Sequence, residues 1–114
     1  MSESPLLTKS KEFSLEVISA CRALQEKRCE YAMVNQLLRS GTSIGANIRE
    51  AFSGQSRRDF VAKLYIALKE CTETQYWLEL LEESKYTIDT KLMDRCIELK
   101  RLLIASVKTA KNRL

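Results

Sequence analysis

The chain has 114 residues, 45% of them hydrophobic, with only 3 Gly and 1 Pro. That length suits one domain with one core, and that composition excludes a disordered or collagen-like chain. The formal charge of +4 is mild, no apolar run reaches the roughly 18 residues that cross a bilayer, and the first residues lack the charged-then-apolar order of a secretory leader; a cytoplasmic protein is expected.

Residues 1–7 read as a loose lead. Thr8 or Ser10 is placed to cap a first helix. Phe13, Val17, Ala20, Cys21 and Leu24 then follow the three- and four-residue steps that put side chains on one helical face. This predicts a first helix over about Thr8 to Glu26. Lys27 to Glu30 forms a connector too short for anything but an antiparallel return.

The stretch from Gln36 to Phe60 organises the rest. A second helix is predicted over about Tyr31 to Phe52, with Leu37, Leu38, Ile44, Ile48 and Phe52 on its inner face. Gly41 and Gly45 share that face. Each costs a helix interior roughly 0.5–1 kcal/mol relative to Ala, so two within one turn imply close approach by another helix. Thr42, Ser43 and Asn47 lie among the glycines, either exposed or bonded to a neighbouring helix. Ser53-Gly54-Gln55 ends the helix, with Gly54 expected in the left-handed conformation. Ser56 opens the third helix, and Asp59 three residues later makes a variant of the capping box.

Phe60, Leu64, Ala67, Cys71, Thr74, Leu78 and Leu81 step by four and three along the third helix. It is expected to end near Glu83, a rod of roughly 40 Å. Asp89 caps a fourth helix, with Ile88 and Met93 spaced as a hydrophobic staple. Leu92, Cys96, Leu99, Leu103, Ser106 and Ala110 continue the seam, and Ile97, Ile104 and Val107 widen it. The predicted fold is all-α, an antiparallel up-down-up-down four-helix bundle forming one domain over residues 8–114.

Little in the chain points to catalysis. There is no His, hence no Ser/His or Cys/His dyad and no Glu-x-x-His di-iron motif. Cys21, Cys29, Cys71 and Cys96 form no CxxC pair, which argues against zinc and for buried thiols acting as small hydrophobes in a reducing compartment. Glu70 and Glu73, like Glu79 and Glu82, share a helical face and read as solvated. Gly41-x-x-x-Gly45 lacks the preceding strand and following Lys of a phosphate loop. No enzyme activity, metal or cofactor is expected.

Charge is more informative. Residues 39–69 hold six basic and two acidic side chains, residues 70–98 three and eight, and residues 99–114 five and none. Folding the chain up and down gathers Arg49, Arg57, Arg58, Lys63, Lys108, Lys111 and Arg113 at one pole, with Lys9 and Lys11 nearby. Glu79, Glu82, Glu83, Asp89 and Asp94 gather at the other. On the third helix these charges oppose the macrodipole, so local helix stability does not account for Arg57 and Arg58 in its first turn. Two Arg beside free helix N–H groups are equipped to hold an anion such as a phosphate backbone. The alternative is a solvated basic end, or pairing with a carboxylate such as Glu50. Tyr65, Tyr76 and Trp77 lie partly off the seam and either pack on the first or fourth helix or form a subunit contact.

Gln36 to Ala51, Ser56-Arg57-Arg58-Asp59-Phe60, and Ile66 to Glu70 with Glu73-Thr74 together resemble a signature. It is that of the bacterial four-helix-bundle proteins first noticed as reading frames within intervening sequences of 23S ribosomal RNA genes. The resemblance runs from about Lys9 to Lys111. It implies an antiparallel bundle and assembly of five copies into a homopentamer ring, in a family for which no catalytic activity is established. A related branch, the accessory proteins of diversity-generating retroelements, associates with nucleic acid and a reverse transcriptase. The resemblance also gives Gly41, Gly45 and Asn47 a structural use in helix packing or the subunit contact. The function expected is RNA or other nucleic-acid binding through the basic pole; the alternative is a protein–protein scaffold with no nucleic-acid role.

Overall fold

Four caps and three short connectors divide the chain into rods. In the computed structural model, which describes residues 4–114, these are α1 (Pro5–Glu26), α2 (Tyr31–Phe52), α3 (Arg57–Glu83) and α4 (Thr90–Lys111). α1 packs on α2 and α4, and α3 packs on α2 and α4. Neither diagonal pair approaches among the described residues. The result is the expected antiparallel four-helix bundle, 46 Å long and 25 by 21 Å across.

The starts of α3 and α4 follow the sequence. Ser56 Oγ accepts from the Asp59 amide at 3.1 Å, and Asp89 Oδ1 accepts from the Lys91 amide at 3.0 Å. The start of α1 does not. Ser4, rather than Thr8 or Ser10, is the cap, its hydroxyl accepting from the Leu6 amide at 3.3 Å. Pro5 follows at the first helical position, where its missing N–H costs nothing, and Leu6 is buried. Residues 5–7 are therefore helix rather than lead; residues 1–3 of that predicted lead lie outside the described residues.

The helix ends also depart from expectation. Gly54 is not left-handed; a Cβ there would instead collide with the Asp59 carboxylate. The left-handed residues are Arg28 (φ 60°) and Lys85 (φ 69°). Each follows the cap of its helix and closes a Schellman turn. The Cys29 amide donates to Leu24 O at 3.0 Å and the Arg28 amide to Gln25 O at 3.0 Å; Tyr86 and Lys85 do the same to Leu81 and Glu82, both at 3.1 Å.

The core runs the length of the bundle. Phe13, Val17, Leu37, Ile44, Ile48, Leu64, Leu78, Leu81, Leu99 and Leu103 are its fully buried large side chains, among others. α1 and α2 meet where no side chain intervenes: a Cβ on Gly41 would stand 2.8 Å from Val17 Cγ1, and one on Gly45 3.2 Å from Ser14 Oγ. The close approach inferred from the glycines is thus α1 against α2. Thr42, Ser43 and Asn47 are half-buried and bond to no other helix. They turn back on α2 itself, to Leu38 O at 2.7 Å, Arg39 O at 2.6 Å and Ser43 O at 2.9 Å. A buried polar link between helices lies elsewhere, where Thr74 Oγ1 meets Ser40 Oγ at 3.0 Å across α2 and α3.

All four cysteines are free and buried. Cys71 and Cys96 face each other across α3 and α4 with sulfurs 3.9 Å apart. Burial pushes the Cys21 thiol up to about 11, so it is neutral at physiological pH and behaves as the small hydrophobe its spacing implied.

Candidate functional site

The end of α2, the start of α3 and the end of α4 meet at one end of the bundle, beside the start of α1. A cleft of about 360 Å³ lies between them, lined by Ser4, Leu6, Phe52, Arg57, Phe60, Leu102, Ala105, Ser106, Thr109, Ala110 and Arg113. Arg57 and Arg113, over fifty residues apart in sequence, therefore share one groove.

Phe52, the last residue of α2, lines this groove. Phe52 was expected on the buried face, yet Ala51 takes the core position and Phe52 is 45% exposed. Its ring meets Phe60 edge-to-face, centroids 5.2 Å apart at 89°. Phe60 in turn packs on the core. An exposed aromatic braced by Phe60 thus lines the same groove as two arginines.

The other predicted cations surround this end in different ways. Arg58 is exposed in the first turn of α3. Arg49 lies on the α1–α2 side, lining a second groove with Lys11, Leu15 and Ala46. Lys108 and Lys111 lie on the α3–α4 side about Tyr65. The Lys111 ammonium is 3.4 Å from Tyr65 Oη and 5.9 Å from the ring centroid. Lys63 is different: its ammonium pairs with Glu50 at 3.0 Å. Lys9 likewise pairs with Glu98 at 3.0 Å. Among the described residues no carboxylate lies within ion-pair distance of Arg49, Arg57, Arg58, Lys108, Lys111 or Arg113. Asp59, the one acidic residue in the first turn of α3, turns its carboxylate toward Gly54.

The aromatics divide. Trp77 packs on the core and donates its indole N–H to Glu73 at 3.0 Å. Tyr65 and Tyr76 stay 41% and 53% exposed and line the outer face of α3 with Leu68 and Thr72. Glu70 and Glu73 are not simply solvated. Both bind the Arg39 guanidinium from α2, Glu70 at 3.1 Å. The indole N–H first, and Arg39 after it, hold the Glu73 carboxyl below its ordinary value.

Periodicity missed Phe52 because Ala51 and Phe52 stand three and four residues after Ile48, so spacing fits either one to the inner face. It also could not foresee which cations find carboxylates. That depends on the rotation of each helix against its neighbour.

Among the described residues no helix is long and apolar enough to cross a membrane, and no group of three or more His, Cys, Asp or Glu could hold a metal. A sequence model of the family described as 23S rRNA-intervening sequence protein matches residues 3–105. Among solved structures, a protein of unknown function from the S23 ribosomal protein family of Bacteroides thetaiotaomicron VPI-5482 is 45% identical. It superposes with a TM-score of 0.86, the alignment covering 90% of this chain and 98% of that one. A comparison with curated proteins finds no match. The family match ends before Lys108, Lys111 and Arg113.

Proposed function

We propose that this chain, which belongs to the 23S rRNA-intervening sequence protein family, is a non-enzymatic cytoplasmic bundle that binds RNA or other nucleic acid through its basic end. The observation that carries the reading is the convergence of Arg57 and Arg113 on one groove, with Arg58 beside them and no carboxylate in ion-pair reach among the described residues. Such a cluster neutralises phosphates by charge and fork-shaped hydrogen bonding. It reads no base sequence directly.

Assembly multiplies the effect. The family resemblance implies a homopentamer, and the exposed face of α3 with Tyr65, Leu68 and Tyr76 has the aromatic character of a subunit contact. Five copies would turn a modest cluster into a ring of cations, and polyelectrolyte affinity rises steeply with the number of phosphates met. A reverse transcriptase is a further partner if the gene sits in a retroelement.

The test is the mass in solution, followed by titration of a generic RNA at about 50 and 200 mM salt. An oligomer whose affinity falls by orders of magnitude between the two supports the reading. An oligomer that ignores RNA at the lower salt removes it and leaves a protein–protein scaffold, a reading favoured by the same exposed strip on α3.

A further inference from the structure

We propose that the groove at the basic end takes single-stranded rather than duplex nucleic acid, with one base lying on Phe52 and the adjoining phosphate held between Arg57 and Arg113. The inference rests on the reading of this end as a polyanion site and specifies which form of polymer it accepts.

Three features of the groove carry it. Its lining includes an exposed aromatic: Phe52 is 45% exposed and meets Phe60 edge-to-face. Its lining is cationic on two neighbouring elements, Arg57 at the start of α3 and Arg113 just after the end of α4. Its size, about 360 Å³, is at the low end of the roughly 300–1,000 Å³ found for ligand clefts and matches one small planar group. A duplex keeps its base faces stacked inside and presents phosphates, sugars and base edges, which could touch the arginines but offer Phe52 no ring to stack on. A single strand splays its bases, and each offers a π-face to an aromatic platform. The Arg57 and Arg58 amides add donors for the phosphate, since Ser56 caps the Asp59 amide and leaves the first two free.

The experiment measures anisotropy of a labelled single strand of unstructured sequence, of the same strand in a duplex, and of that strand with abasic positions. Wild type is compared with Phe52→Ala and Phe52→Leu, the latter keeping apolar volume without a ring; thermal melts confirm that both fold. The single strand is expected to bind more tightly than the duplex. Either Phe52 variant, or the abasic strand, is expected to lose roughly 5- to 150-fold, the range of one base–aromatic stack. Equal affinity for both forms, with the Phe52 variants and abasic strand unchanged, overturns this inference while the polyanion reading stands. Absence of binding to every probe at low salt overturns both.

Discussion

Gly41 and Gly45 lack side chains for the sake of α1. At Gly41 the neighbour is Val17, whose Cγ1 and Cγ2 would lie 2.8 and 2.9 Å from an added Cβ. A β-branched side chain fully inside the core has no other rotamer to adopt. Gly41→Ala should therefore destabilise by about 1–2 kcal/mol, the strain outweighing the gain in helix propensity of about 0.5–1 kcal/mol. Val17→Ala in the same chain should recover part of that loss. Chemical denaturation of the two single variants and the double variant measures the coupling; independent, additive effects would contradict the contact. At Arg28 and Lys85 the logic reverses. Both hold left-handed φ, which costs an L side chain roughly 1–2 kcal/mol. Arg28→Gly or Lys85→Gly should raise stability by up to about 1 kcal/mol, part of the relief being offset by the freer unfolded chain. Lower melting temperatures for both would show that the side chains themselves matter more than the turn.

At the scale of helices, the seams between neighbours differ in kind. α1 on α2 is backbone against side chain at the glycines. α2 on α3 adds a surface cluster in which Arg39 bridges Glu70 and Glu73, and Trp77 donates to Glu73. Because the Glu73 carboxyl titrates below its ordinary value of 4.5, its protonation favours the unfolded chain. Its contribution is present above about pH 4.5 and is lost as pH falls through the lower folded value. Glu73→Gln should thus lower the melting temperature at pH 7 and narrow the gap to wild type as pH drops below that window. A gap independent of pH would exclude the ion pair as its source. The helices themselves were legible in the sequence. α2 begins and ends where its apolar steps do, and Ser56 and Asp89 cap as expected. What escaped was what apolar spacing does not encode. Ser4 and Pro5 start α1 early because a Pro is welcome at the first helical position, and Schellman turns close on Arg and Lys where Gly is the usual signal. Thr42, Ser43 and Asn47 satisfy themselves on their own helix, a choice that composition leaves open.

For the whole molecule, the charge blocks along the chain translated into opposite ends because short connectors permit only antiparallel neighbours. That much needed no coordinates. The juxtaposition of Arg57 with Arg113 follows from the same topology. The pairing of Lys63 with Glu50 does not, and it withdraws one of the seven predicted cations from the free set. Nor did periodicity disclose the Phe52 platform, since it placed that ring in the core. Loss of a free cation should matter more than loss of a paired one. Arg57→Ala should weaken polyanion binding more than Lys63→Ala, whose ammonium must first leave a carboxylate; equal losses would show that the pair opens without cost.

The most direct test of the basic end is the salt slope of RNA binding, the change of log affinity with log salt, for wild type and for the Arg57→Ala/Arg58→Ala variant. A steep negative slope that becomes shallower by about one to two per subunit engaged is what phosphate neutralisation by these two side chains requires. A slope near zero in wild type, or one identical in the variant, would contradict it.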